Sequence, residues 1–591
     1  MTTKTYEQTW DLDVFFEGGS DSESFKAYIE KIEVELAEFE ASVSNFELSR
    51  LGESLTLYEK VIKKIAQSSA YVNCLFAANV TDKKAAQLQG KVAELYAKMN
   101  VLLNSLEEHF IHVNDQEWKA FIQESGLSEL EYVLTERRRR ASEKLPADQE
   151  KLISSLSVDG YHAWGKLYNS LVGRIKVSVK DNGETKELSV GQAYNKFSDG
   201  DRNVRKEIFE QWQKAWLKET DTFAAALNHL AGFRIQTYNQ RGWDSILKEP
   251  LENNRMKAET LDTMWEVITD YKGKFTEYLQ RKAELLGVDK LSYYDVNAPI
   301  TSEETKLSYQ EGAEFILEQF AKFGPELTKF TEVAFEDRWI EAEDRAGKAP
   351  GGFCTGFMDS GQSRIFMTYS GSLTNVSTLA HELGHAFHSY AMKDVPTLNR
   401  FYSSNVAETA STFAEMIVSD AAVKYAKTDE EKLSLLEDKI QRSVAFYMNI
   451  HARFLFETKF YEERKKGLVS VERLNELMVD AQKEAYCDQL GEYDPTFWAS
   501  KMHFYITQVP FYNFPYTFGY LFSLGIYAQA LEEGTAYEEK YIALLKDTAS
   551  MTVEDLAMKH LGVDLTKRDF WEKAVLKSVE DVEEFLQLTS K

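Results

Sequence analysis

Between residues 20 and 150, apolar side chains recur every three to four positions with charge between them. The stretch SESFKAYIEKIEVELAEFEASVSNF shows the pattern most clearly, and it predicts a helix packed on one side. Ser22 or Ser24 is placed to cap it. Further helices are predicted over 53–80 and 82–113. The pattern then changes: Arg174–Val179 alternates, Asn182 and Gly183 follow, and Glu187–Val190 comes next. Asn-Gly between alternating runs is a hairpin signal. Helical spacing resumes in DRNVRKEIFEQWQKAW, with Asp199 or Asp201 as cap. A soft boundary falls near 195, dividing an N-terminal helical lobe (1–195, with a β-hairpin near 174–190) from a second unit (196–591). No Pro/Gly/Ser linker marks it, so the two parts are expected to share a large interface. Residues 350–374 are rich in Gly, Ser and Thr and contain a strand-like run, Arg364–Tyr369. Alternation there puts Ile365, Met367 and Tyr369 on one face and Arg364, Phe366 and Thr368 on the other. After 430 the chain is helical in pattern to its end, and no repeat of fixed period occurs.

Composition narrows the class. Hydrophobic residues make up 43% and charged residues 28% of 591, with 9 Pro and 30 Gly. These values exclude collagen-like, low-complexity and disordered chains and favour a mainly α protein. A net charge of −26 repels phosphate backbones, so no nucleic-acid partner is expected. The run Arg137–Arg140 is flanked by Glu136 and Glu143 and reads as a solvated helix face or a set of contacts to acidic groups. Cys74, Cys354 and Cys487 lie too far apart in sequence for a disulfide framework, which suits a reducing compartment. The first twenty residues lack the basic start and apolar core of a signal peptide, so a cytoplasmic location is expected. From Met502 to Leu531 there is no Asp, Glu, Lys or Arg. Gln508, Pro510, Asn513, Pro515 and Gln529 interrupt that stretch, and its tyrosines are dispersed rather than gathered into two belts. It reads as a buried aromatic pocket wall and not as a membrane span.

The strongest chemical signal is His381-Glu382-Leu383-Gly384-His385, inside NVSTLAHELGHAFHSYAM. Val376, Leu379, Ala380, Leu383, Phe387, Tyr390 and Ala391 make one helical stripe. His381 and His385, four apart, leave the same side of that helix. Two neutral imidazoles at this spacing hold a divalent cation at about 2.0–2.1 Å. Glu382, rotated by about 100°, lies beside the metal as a general base for metal-activated water. A catalytic zinc needs a third protein ligand and an open position. His388 lies one turn beyond His385, but three ligands from one helix converge poorly, and a packing role suits it better. SSNVAETASTFAEMIVSD reads as a second helix, with Glu408 as the third ligand. Glu415, seven residues on and on the same face, is the group to receive the spare N–H of a ligand histidine.

HELGHAFHS, followed by NVAETAST and HFYITQVPFYNFPYTFGYLF and preceded by GGFCTG, resembles the M3 zinc metallopeptidases. The oligoendopeptidase F branch, related to thimet oligopeptidase and neurolysin, is the nearest likeness. WDLDVFF, DRNVRKEIFEQW, YYDVNAPI and GVDLTKRDFW extend the resemblance over most of the chain. It implies a large two-lobed helical zincin with a deep central channel and a small β-sheet beside the zinc helix, 196–591 being the catalytic domain. It implies one Zn2+ per chain on His381, His385 and Glu408, with Glu382 as general base and with short unstructured oligopeptides as substrates. The family's substrate-binding His and Tyr carry over to His503 and Tyr520, with Tyr512 and Tyr516 as further candidates. The thimet branch has a Tyr-Tyr-Gly-Tyr run where this chain reads Thr517-Phe518-Gly519-Tyr520, which leaves the second tyrosine open. Phenol and imidazole donors stabilise a developing oxyanion. The strand Arg364–Tyr369 is a candidate to pair with substrate backbone. The competing readings are a zinc carboxypeptidase or dipeptidyl carboxypeptidase on a similar scaffold, and a non-catalytic peptide-binding protein. Either a monomer or a homodimer is compatible with the sequence.

Overall fold

The computed structural model describes residues 4–181, 184–301 and 306–590. The helices follow the apolar spacing. Helix Glu23–Ser44 is capped by Ser22, whose hydroxyl accepts the Phe25 N–H at 3.2 Å. Helices Leu51–Ala78 and Lys83–Phe110 follow, and Asp201 caps Arg202–Leu217 by accepting the Asn203 N–H at 2.8 Å. Strand β1 (Lys176–Asp181) pairs antiparallel with β2 (Glu184–Ser189), Val177 opposite Leu188. The Asn182-Gly183 turn lies outside the described residues.

Apolar packing forms two clusters. The first gathers the helices of residues 23–134 around Phe39, Tyr71 and Leu106. The second holds the rest of the helical body. Tyr168, Ile175, Val177 and Ala193, which precede the sequence boundary at 195, pack in this second cluster.

A three-stranded sheet stands between the clusters. Its order is β3 (Ile340–Glu341), β5 (Gln362–Phe366), β4 (Phe353–Phe357), with β5 parallel to β3 and antiparallel to β4. Strand alternation sends neighbours to opposite cores: Ile365, Met367 and Tyr369 enter the second cluster, Phe366 and Phe357 the first. Because β5 is hydrogen-bonded on both sides, it has no edge to offer a peptide. That corrects the expectation for 364–369, since the free edge beside the site belongs to β4.

The arginine run is engaged within the chain. Arg137 pairs with Glu107, Arg138 with Asp115, and Arg139 with Glu143 and Glu252, while Arg140 reaches Glu136 and the Glu252 carbonyl. Arg255 answers from the second unit onto Glu136 at 2.9 Å. These pairs clip the first helices to the later body. The apolar stretch after 502 becomes helix Phe514–Glu533, buried on almost every side. Among the described residues no helix is long and apolar enough to cross a membrane.

Candidate metal centre

Helix Leu373–Ala391 begins at a capping box, Ser372 accepting the Asn375 N–H at 3.1 Å. Its apolar stripe, Val376, Leu379, Ala380, Leu383 and Phe387, is buried in the second cluster. The opposite side carries His381 and His385, ring centroids 5.0 Å apart.

The second ligand-bearing segment is not one helix. Ser404–Ala407 ends at Glu408, and Thr409–Tyr425 begins after it. At this break the Glu408 side chain meets both imidazoles. Its Oε2 lies 3.2 Å from His381 Nε2 and 3.5 Å from His385 Nε2. One ligand atom from each of the three residues lies within 4.8 Å of the others. Ser411 donates to Glu408 Oε2 at 2.7 Å. His381 Nδ1 donates to Glu415 Oε2 at 3.1 Å, and Arg442 grips the other Glu415 oxygen. That bond fixes the orientation of the His381 ring, with Nδ1 on Glu415 and Nε2 toward Glu408.

Two glycines allow these elements to approach. A Cβ on Gly384 would lie 2.4 Å from the Ala410 carbonyl oxygen and 2.6 Å from Ser411 Cα. One on Gly519 would lie 2.9 Å from the Asn405 carbonyl oxygen and 3.3 Å from Glu408 Cβ. Helices Leu373–Ala391 and Phe514–Glu533 therefore both touch the Glu408 segment backbone to backbone.

The electrostatics suit a cation. Burial raises the Glu408 carboxyl, but the His381 hydrogen bond, the two neighbouring imidazoles and Ser411 outweigh it and bring it down to about 2. Burial lowers His385 to about 4, so its imidazole is neutral. Burial also opposes charge on His381, yet Glu408 and Glu415 lift it to about 10. A proton on His381 thus occupies the position a metal would take, and two imidazole nitrogens with one carboxylate oxygen form a donor set matched to zinc.

Glu382 is 7% exposed, and its Oε2 is buried without a partner. Burial pushes it up to about 7, with Glu408 and Glu415 adding to the rise and His381 opposing. Gly352, just before β4, packs beside it. His388 turns away from this centre. Its Nε2 lies 2.9 Å from Thr548 Oγ1, and its ring stacks on Tyr402 at 4.2 Å.

Three aromatic residues form a second group. His503 lies 5.9 Å from Tyr512 and 6.2 Å from Tyr516 by ring centroid, and the two tyrosines are 5.4 Å apart. The Tyr516 hydroxyl is raised by burial, then by Tyr512 and the charge of Glu408. Burial, Arg453 and Lys501 together hold His503 at about 4, a neutral imidazole. Tyr520 is not brought into this group. It is 6% exposed, its hydroxyl is 2.8 Å from Ser443 Oγ, and it stacks on Phe446 at 4.6 Å. The reason is helical phase: Gly519 faces Glu408, Tyr516 precedes it by three on the same side, and Tyr520 is rotated by about 100°. Arg442, Ser411 and Gly519 carry no sequence signal of their own, since each reads as an ordinary helix residue.

Comparison with known proteins supplies the family. The family model described as peptidase family M3 matches residues 197–576, and one described as Oligopeptidase F matches 109–176. An oligoendopeptidase F homolog of Lactococcus lactis is 24% identical over 96% of this chain and 95% of its own. Oligopeptidase PepF of Bacillus subtilis is 25% identical over 99% of this chain and 88% of its own. The crystal structure of oligoendopeptidase-F from Enterococcus faecium superposes with a TM-score of 0.70 at 19% identity, covering 97% of this chain and 99% of that one. A solved chain from Chlamydophila abortus reaches 0.85 at 20% identity, covering 98% of each.

Proposed function

The chain belongs to peptidase family M3 and is a metalloendopeptidase, and on that premise we propose that it cuts internal bonds of short unstructured oligopeptides with one zinc ion on His381, His385 and Glu408. The observation that carries this reading is the convergence of two imidazole nitrogens and one carboxylate oxygen within 4.8 Å, from two separate elements. A zinc ion held there supplies Lewis acidity and lowers the pKa of water toward about 7.

The chain's own groups do the rest. Glu382, with one buried oxygen free, accepts the proton of the attacking water and returns it to the leaving amine. Glu415 and Arg442 keep His381 in the tautomer and orientation that ligation needs. His503, Tyr512 and Tyr516 offer N–H and O–H donors to the carbonyl oxygen as it gains charge. Tyr520 supports this wall by packing and by its bond to Ser443. The free edge of β4 pairs with substrate main chain, which gives affinity with little side-chain preference. A cavity of about 300 Å³ lies between helix Leu51–Ala78, β4 and helix Leu373–Ala391, lined by Thr355 and Gly356 of β4 and by Ser389, one turn beyond His385. The three cysteines are free, which suits a reducing, cytoplasmic setting.

Digestion of a mixed peptide library with and without chelator tests the proposal, the products being read by mass spectrometry. Internal cuts that vanish with chelator and return with zinc are expected. Release of C-terminal dipeptides alone would assign the chain to the dipeptidyl carboxypeptidase reading, and no cleavage would leave peptide binding.

A further inference from the structure

Beyond the aromatic group lies a cavity of about 130 Å³ that no catalytic step uses. Its polar wall is made by Arg453, Lys501, Asn449, Tyr194, Tyr293 and Tyr486. Arg453 donates from Nε to Asn449 Oδ1 at 2.9 Å and from Nη1 to Asn513 Oδ1 at 3.2 Å. Lys501 lies against ring faces, its Nζ 5.1 Å from the centroid of Tyr194 and 5.0 Å from that of Phe497. Among the described residues neither cation forms an ion pair. Asp494, the carboxylate whose charge pulls on Lys501, accepts from Thr496 through Oδ1 and makes no ion pair with the lysine. Arg453, joined by Lys501 when that is protonated, has no ion-paired acid here, so the cavity is positive, and unpaired buried charge is costly to fold. Burial, then Arg453, push Lys501 down to about 7, against the pull of Asp494.

The cavity adjoins the catalytic wall. Lys501 precedes His503 by two residues. Asn513, bonded to Arg453, follows Tyr512. Tyr516 feels the charges of both Glu408 and Arg453. The links Lys501–His503 and Asn513–Tyr512 place the two cations next to this wall.

Resting on the peptidase reading above, we propose that the Arg453–Lys501 cavity is a subsite for a carboxylate of the peptide substrate, supplied by its C-terminus or by an acidic side chain. Guanidinium, ammonium and the phenol O–H groups are the donors a carboxylate takes. Such a site selects short substrates, because only a nearby chain end or a suitably spaced Asp or Glu brings the charge within reach. It acts on binding and leaves the position of the cut to the metal centre.

Three peptides of one internal sequence test this: a free acid, its C-terminal amide, and an amide with Glu placed downstream of the cut. With wild-type protein the plain amide should show a KM at least tenfold above that of the free acid, with kcat little changed. Lys501→Met should raise the KM of the free acid to that of the amide, the acid-to-amide ratio being the readout because any effect through His503 is common to both, and Lys501→Arg should restore the difference. If the Glu-bearing amide alone regains the low KM, the side chain is the source. Equal KM values for all three peptides with wild-type protein, or a Lys501→Met effect equal on acid and amide, would overturn the proposal. Fluorescence anisotropy with Glu382→Gln protein and labelled product peptides reads the same preference without turnover. A missing preference there sinks the subsite, whereas absent cleavage in every arm sinks only the hydrolase reading. Should Lys501→Met lower the melting temperature, Lys501→Gln serves in its place.

Discussion

Replacing Gly384 by Ala adds one methyl group at the closest contact between the two ligand-bearing segments. Its carbon would sit 2.4 Å from the Ala410 carbonyl oxygen and 2.6 Å from Ser411 Cα. Carbon–oxygen contact needs about 3.3 Å and carbon–carbon about 3.5 Å, so both neighbours must retreat by about 0.9 Å. They are backbone atoms of a buried helix and cannot rotate away. The retreat carries Glu408 with it, opening the 3.2 and 3.5 Å separations from the imidazoles. Overpacking of this size costs about 1–3 kcal/mol of stability. A ligand misplaced by about 1 Å loses on the order of a hundredfold in rate. Gly273, inside helix Ala258–Leu285 with nothing within 4 Å of an added Cβ, is the control. There Ala should stabilise by about 0.5–1 kcal/mol. Melting curves, zinc affinity by chelator competition and kcat/KM on one reporter peptide measure the three effects. If Gly384→Ala melts with wild type and keeps its zinc and its rate, the close approach does not position Glu408 and the account of this contact is wrong.

Glu382→Gln should lower kcat by about 10²–10⁴-fold while the zinc content by mass spectrometry stays near one per chain; unchanged turnover would remove Glu382 as the base. Glu415→Gln should weaken zinc about 10–100-fold, because His381 Nδ1 loses its anionic partner and Arg442 is left unpaired. Competition with a calibrated chelator reads this, and wild-type affinity would show that the bond is incidental. Lys501 is charged below about 7 and neutral above it. The ratio of kcat/KM for free-acid over amidated peptide should therefore fall as pH rises through that value, the ratio cancelling titrations common to both substrates. His503, Arg453, Asp494 and the phenols of Tyr194, Tyr293 and Tyr486 surround it. A flat ratio across neutrality, or a fall that persists in Lys501→Met, would point to one of these instead.

The helices and the ligand pair were legible because their information is local. Ser22 and Asp201 cap where a short polar residue precedes an apolar stripe. A four-residue spacing places His381 and His385 together whatever surrounds them. Glu408 was legible as a nearby carboxylate, but the helix break that aims it was not, since NVAETA carries no Gly or Pro. The choice between Tyr516 and Tyr520 lies outside sequence reasoning for a different reason. Helix Phe514–Glu533 is apolar all round, so its periodicity carries no phase, and Gly519 against Asn405 decides which side meets the metal centre. Strand order is likewise tertiary: the alternation of Ile365 and Phe366 was correct, while the identity of the edge strand depended on Ile340 and Phe353 arriving on either side. Arg442, Arg453 and Lys501 look like any solvated helix cation until their surroundings are known.

The sheet makes the opening quarter of the chain necessary to a reaction it never touches. A truncated protein starting near residue 140 would retain every ligand and every donor, yet Phe357, Phe366 and Leu398 would lose the covering that keeps each at 4% exposure or less. At about 1.5–3 kcal/mol for each large side chain bared, that is comparable to the whole stability of an ordinary domain, about 5–15 kcal/mol. The strand beside Glu382 would then have solvent for a neighbour on one face, and its register would no longer be enforced. Shortening this enzyme from the front therefore forfeits the groove before it removes a single catalytic atom.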